Sequence, residues 1–281
     1  MKRMRSTGLC LVAVFALGAF AASSASALPE VIKCVAKPGT GKYKNAACTL
    51  KAGAKVEEKQ FEIIKEITKA GFTTASGESF LETENGTKIT CLSSTATGKY
   101  DVDLSPTTGK QLPTNEVETV VSTFKDCSIV AAKAVCTGIG AASGEIKTFA
   151  LGGKLGYINK AKKEVGQQLK PEVSVSLNPK KRVARFECAG FGLTEVGEGT
   201  GKGHNCIISA VTSPVNEMAL TVSLLYSSIV TEAGKVQFPQ KFEGAATTCA
   251  EETKLGEGPW EHSIQSQGVT QTNEEPLEIK A

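Results

Sequence analysis

Two histidines, His204 and His262, are the only imidazoles in the 281 residues, so a serine or cysteine nucleophile relying on a histidine base must recruit one of them. No G-x-S-x-G elbow accompanies them. Residues 256–262 gather the single tryptophan, Trp260, with Glu257, Glu261 and His262. An exposed indole beside a carboxylate can stack on a sugar ring while the carboxylate holds its hydroxyls; the alternative is an indole that caps the core where a strand begins. His204 follows a glycine-rich stretch at 197–203. If Cys206 bonds to Cys249, His204, Trp260, Glu261 and His262 come to one end of the molecule, and these four form the candidate binding patch. Two histidines without aspartate partners argue against metal or acid/base chemistry there.

Other motifs fall short. Gly197-x-Gly199-x-Gly201-x-Gly203 contains a lysine, but it precedes glycine rather than serine or threonine and no helix follows, so it reads as a loop and not a phosphate cradle. Leu112-Pro113-Thr114-Asn115-Glu116 has the letters of a wall-sorting signal without an apolar and basic tail behind it. Asn85-Gly86-Thr87 fits a glycosylation sequon, yet a turn explains it better. A glycosidase needs two carboxylates across a cleft, and 26 glutamates with only Asp101, Asp103 and Asp126 do not single out a pair. The 6% aromatic content also argues against a long sugar groove. No catalytic residue, cofactor-binding residue or metal ligand is assigned.

The amino terminus sets the expected compartment. Lys2, Arg3 and Arg5 precede an apolar run over 9–22 that closes in Ala25-Ser26-Ala27, the pattern of a secretory signal peptide covering 1–27. Fourteen apolar residues fall short of the roughly 20 that span a bilayer as a helix, and Cys10 lies inside the run rather than at a lipidation site. Cleavage before Leu28 would remove three of the 32 basic residues and leave 29 against 29 acidic ones. A chain with no net charge lacks the basic excess of a nucleic-acid binder, despite the clusters at 160–163 and 180–182. The expectation is a secreted protein with no stable membrane insertion.

The same cut leaves eight of the nine cysteines, and an exported chain with an even number of thiols is expected to carry four disulfides. Cys34 and Cys48 flank the turn Pro38-Gly39-Thr40-Gly41, and Cys127 and Cys136 flank a short excursion, so both pairs read as local staples. The remaining four, Cys91, Cys188, Cys206 and Cys249, must pair over longer range. No C-x-x-C is present, which disfavours zinc.

Short runs rich in Val, Ile, Thr and Phe recur between Gly, Pro, Asn and Ser clusters, at 31–35, 80–84, 88–92, 117–124, 145–151, 173–177, 183–188, 206–211, 218–226 and 268–272. Asn85-Gly86 between two of them predicts a hairpin with a type I′ turn. Residues 56–70 fit a short helix or a strand. About twelve strands and no βαβ rhythm predict an all-β antiparallel sandwich or jelly roll in one domain, 28–281, the alternative being two subdomains divided near 105–114.

The segments LPEVIKCV, GKYKNAACT, FKDC…AVCTGIGAASGEIKTFALGGKLGYINKAKKEVG, FECAG at 186–190 and VTQTNEEPLEI resemble a large set of uncharacterised secreted proteins of soil-type high-GC Gram-positive bacteria. The resemblance covers most of the chain after residue 27. It implies a secreted, disulfide-stapled β-domain and carries no activity with it. Cys206 and Cys249 stand outside the set's usual pattern, which implies that they bond to each other, leaving Cys91 with Cys188, and that this end of the molecule is where binding differs. Together these readings predict a non-catalytic binding or structural protein of the cell envelope or extracellular space, with an envelope or extracellular glycan or protein as partner. The alternative is an extracellular carbohydrate-active enzyme using a pair of glutamates.

Overall fold

The computed structural model describes residues 28–67, 69–104, 111–172, 181–197, 205–232, 234–246 and 248–281. Within them the chain forms β1 (Glu30–Ala36), β2 (Phe61–Ile64), β3 (Ala70–Ser76), β4 (Ser79–Thr83), β5 (Lys88–Cys91), β6 (Ser93–Leu104), β7 (Gln111–Lys125), β8 (Ser128–Ile129), β9 (Ala134–Gly138) and β10 (Ile146–Lys147). It continues with β11 (Leu151–Asn159), β12 (Glu164–Pro171), β13 (Arg182–Cys188), β14 (Gly192–Gly197), β15 (Ile207–Ser213), β16 (Ala219–Thr231), β17 (Gly234–Phe238), β18 (Glu251–Leu255) and β19 (Trp260–Lys280). The segment 56–70, left between helix and strand, resolves into a single 3₁₀ turn at Val56–Glu58 followed by β2 and the start of β3.

The all-β expectation holds, but the sandwich gives way to a closed barrel. Antiparallel pairs run β3–β6–β7–β11–β12–β15–β16–β19 and back from β19 to β3, so eight strands leave no free edge in the ring. A second circuit, β4–β5–β8–β9–β13–β14–β18–β19, closes from β19 to β4. Both rings draw strands from either side of residues 105–114, and residues 105–110 themselves lie outside the described set.

Alternation explains why the rings close. From Gln267 to Ile279, almost every second residue of β19 is buried, which sends Val269, Gln271 and Asn273 into the first barrel. There they meet Phe72, Tyr100, Val117, Leu155, Val165 and Leu224 in the larger apolar core. Tyr100 accepts a 3.0 Å hydrogen bond from Gln271, and its ring lies 5.1 Å from that of Phe72. Gly98 is paired across from Phe72, and a Cβ at Gly98 would sit 2.6 Å from the phenyl ring, so the glycine leaves the space the aromatic fills.

The hairpin of β4 and β5 forms at Asn85-Gly86 as expected, with a different turn. Gly86 N–H donates to Thr83 O at 2.8 Å, and only Gly86, at φ +81°, takes the left-handed conformation. This is a type I turn from Thr83 to Gly86 ending in a bulge glycine, a longer loop than the two-residue type I′ turn and equally compatible with strand twist.

The disulfides join Cys34–Cys48, Cys91–Cys127, Cys136–Cys188 and Cys206–Cys249. The predicted Cys127–Cys136 and Cys91–Cys188 pairs are therefore corrected, for a geometric reason. The register places Cys91 opposite Cys127 by continuation of β5–β8, Cys127 opposite Cys136 by continuation of β8–β9, and Cys136 opposite Cys188 in β9–β13. Four cysteines form one row across four neighbouring strands. Joining the central two would leave Cys91 and Cys188 three strand spacings apart, roughly 14 Å, twice the reach of a disulfide. Only the outer pairing satisfies all four.

The closed loops of 36 and 52 residues each restrict the unfolded chain by about 4 kcal/mol in the chain-entropy estimate. Replacing Cys136 and Cys188 together by alanine is expected to lower unfolding stability by about that amount. Peptide mapping under non-reducing conditions is expected to recover Cys91–Cys127 and Cys136–Cys188; a Cys127–Cys136 peptide would contradict the register.

Candidate functional site

An open groove of about 1180 Å³ lies on the outside of the first barrel. Its floor is the outer face of β11 and β12, where residues alternate outward between the buried Leu151, Leu155, Val165 and Leu169. Glycines keep that floor low. A Cβ on Gly156 would lie 2.4 Å from the Phe242 ring, and one on Gly152 would press against Glu172 and the Val117 carbonyl. The far wall is the segment 241–245, held down by Phe242, which packs with Ile208 and Cys249 in a separate small apolar cluster. Cys206–Cys249 fixes this segment to the barrel, and Gln168 Nε2 lies 3.0 Å from the Cys249 sulfur.

The near wall is shaped by a bulge in β7. Its register against β11 slips between Leu151 and Gly153, with Thr119 at φ +51°, and the Thr119 N–H donates to Glu172 Oε1 at 2.6 Å. The groove is lined by four carboxylates, Glu116, Glu118, Glu172 and Glu243, and by four ammoniums, Lys154, Lys160, Lys170 and Lys241. Several already serve as braces: Glu118 pairs with Lys99 at 3.1 Å, and Glu243 accepts the Lys160 N–H at 2.6 Å. Tyr157 lies on the same lining with the Lys160 ammonium 5.9 Å from its ring. The arrangement offers donors and acceptors of both signs around a neutral whole.

The predicted patch is placed differently. His204 lies outside the described residues. Trp260 pairs with Lys254 on the outer face of the second barrel, half-buried, and the Arg182 guanidinium covers its ring at 4.6 Å. That stacking partner covers one face of the half-buried indole. Glu261 holds the β4–β5 turn by accepting from the side chain and backbone of Asn85. His262 is exposed and lines a separate outer pocket of about 370 Å³ with Glu82, Glu84, Lys235 and Gln237. Of the three, His262 alone lines that pocket.

Sequence reasoning missed a cavity of about 100 Å³ where side chains of the two barrels meet. It is lined mostly by apolar side chains, among them Leu81, Phe124, Ile146, Leu169 and Phe186, together with Glu251, Gln265 and Gln267. Glu251 is 5% exposed. Burial alone raises its carboxyl from 4.5 to about 7, and burial pushes the Tyr226 hydroxyl, whose ionisation the Glu251 charge also opposes, up to about 12. Glu251 opens β18 opposite Ser263, on the same side as Thr253, whose hydroxyl donates to Ser263 Oγ at 2.9 Å. The only signal in the sequence was a glutamate out of step with one more inward apolar residue, which is invisible until the strand's inward face is known.

Two outcomes follow from these contacts. Gly156→Ala is expected to cost about 1–3 kcal/mol in chemical unfolding, since Phe242 must move and the groove wall with it. A raised acid binds its proton more tightly folded than unfolded, so stability is fullest below pH 4.5 and falls as pH rises through 7, by about 3 kcal/mol for Glu251. Glu251→Gln is expected to flatten that slope in denaturation midpoints measured from pH 4.5 to 8. Comparisons with protein-family models, with curated proteins and with solved structures find no match for this chain, so no relative's activity bears on the groove or the cavity.

Proposed function

We propose that this is a secreted, non-catalytic binding protein of the cell envelope or extracellular space, related to the uncharacterised secreted set that its sequence resembles, and that it holds a neutral, polyhydroxylated chain such as an envelope glycan in the outer groove. The observation that carries this reading is the groove itself: about 1180 Å³, open, floored by glycine backbone and lined by four carboxylates and four lysine ammoniums, with Leu28 at its rim. Such a lining offers hydrogen bonds of both polarities to a neutral ligand and no field for a polyanion or a polycation. Four disulfides suit an oxidising location outside the cytoplasm, and no helix among the described residues is long and apolar enough to cross a membrane.

The segment 241–245 that walls the groove is pinned by Cys206–Cys249, the pair that departs from the resembled pattern. Specificity would then vary between members through this wall while the barrels stay constant. A glutamate-pair enzyme is the weaker reading, because Glu118 and Glu243 already serve as braces and Glu172 accepts a backbone amide.

A binding screen of the protein from Leu28 onward against envelope polysaccharides and soluble glycans tests the proposal. Lys154→Ala with Lys170→Ala is expected to weaken retention at least about tenfold, in line with the loss of two charge-assisted hydrogen bonds, while Trp260→Ala leaves it unchanged. Undiminished binding by the folded double variant, or loss of binding in Trp260→Ala, would overturn the assignment to the groove.

A further inference from the structure

We propose that the mostly apolar cavity between the barrels is a second binding site, for a small organic ammonium whose nitrogen pairs with the Glu251 carboxylate while its short apolar body fills the space beside Leu81, Phe186 and Tyr226.

The side-chain chemistry favours a cation. Among the described residues the Glu251 carboxyl accepts no hydrogen bond and joins no ion pair, and burial is the one influence on its proton affinity. A largely buried carboxylate that meets no protein donor is satisfied by a ligand that brings both a positive charge and N–H donors. Lys170 is the single basic residue on the lining, and it is exposed, alternating outward from the buried Leu169 towards the groove. The remaining polar groups there are hydroxyls and amides, from Ser79, Ser122, Thr148, Gln265 and Gln267.

The surroundings agree in sign. Glu251 is common to the cavity and to the outer pocket of about 370 Å³, so the two lie against each other at this residue. The ionisable groups around it are Tyr226 from β16, neutral at physiological pH, Lys235 from β17, Glu82 from β4, Glu84 from the turn after it, and His262 from β19. Lys235 is engaged by Glu82 at 2.7 Å. Glu84 and Glu251 then leave the approach net negative, which draws a cation and repels an anion. Size sets the body of the ligand. An apolar cavity of 150 Å³ holds a benzene ring, so about 100 Å³ takes a chain of a few carbons.

Binding exchanges a proton for the ligand. Glu251–COOH loses its proton to solvent, and the carboxylate pairs with the incoming R–NH₃⁺, so atoms and charge balance with no other reactant. Because the free carboxyl titrates near 7, apparent affinity is expected to rise about tenfold from pH 6 to pH 8.

Calorimetry on the protein from Leu28 onward, with n-butylamine, butan-1-ol and butyrate at pH 6 and pH 8, tests this. The expected result is binding of butylamine with the stated pH dependence, a buffer-dependent heat of proton release at pH 6, weaker binding of butanol, and none of butyrate. In Glu251→Gln, checked for folding by circular dichroism, butylamine is expected to lose at least about tenfold and its pH dependence, with butanol unaffected. His262→Gln is expected to keep the pH dependence, separating Glu251 from the neighbouring imidazole. Equal binding of butylamine and butanol in both proteins, a pH dependence that follows His262, or no binding of either compound would overturn the proposal.

Discussion

Strand β19 pairs with four strands in succession, and both rings close through it. Residues 260–263 pair with β18 and 263–266 with β4, then 267–272 with β16 and 269–273 with β3. One continuous backbone thus fixes the position of one barrel on the other, since a β-strand cannot rotate about its axis without breaking both ladders. The phase of inward-facing residues follows from this. Gln267, Val269 and Gln271 point into the first barrel, and Ser263 sits opposite Glu251 in the second. The cavity between the barrels is a consequence of stacking two closed rings on a shared strand, and Glu251 lies where the second ring faces it.

Closure also explains the disulfides. A ring of short strands such as β8, two residues long, has few ladder bonds to hold it. The cysteine row crosses that weakest part, from β5 through β9 to β13, and ties each short strand to a neighbour. The fourth bridge does different work. Cys206–Cys249 lies outside the barrel and pins a wall of the groove, so the two bridges of the cysteine row serve the scaffold while this one shapes the surface that we assign to binding.

The two sites divide the chemistry between them. The groove is open, wet and charge-balanced, which suits a ligand recognised by many weak hydrogen bonds. The cavity between the barrels is mostly apolar with a single carboxyl on its lining, which suits one strong ionic contact and a small body. A polar residue in a barrel interior opposes stability unless it is satisfied, and a carboxyl that stays protonated to near neutral pH meets that constraint without a protein partner.

Composition, the alternation of apolar residues and the Asn85-Gly86 turn were enough to specify an all-β antiparallel fold, because strand period and turn chemistry are local properties, but about twelve strands were expected and the described residues form nineteen, β6, β12 and β18 among the unforeseen ones. Cys34–Cys48 was legible for the same reason, its two ends lying across one turn. The pairing of Cys91, Cys127, Cys136 and Cys188 was not, because spacing along the chain says nothing of which strands are neighbours, and the row became visible only in the register. Trp260 was conspicuous by rarity, yet Arg182, 78 residues away, decides that one of its faces is covered. Glu251 was one glutamate among 26, and only ring closure turned it inward. The sequence by itself determined the all-β class and part of its strands; the tertiary structure decided the remaining strands and which faces are enclosed, because closure of a barrel depends on contacts between strands far apart in the chain.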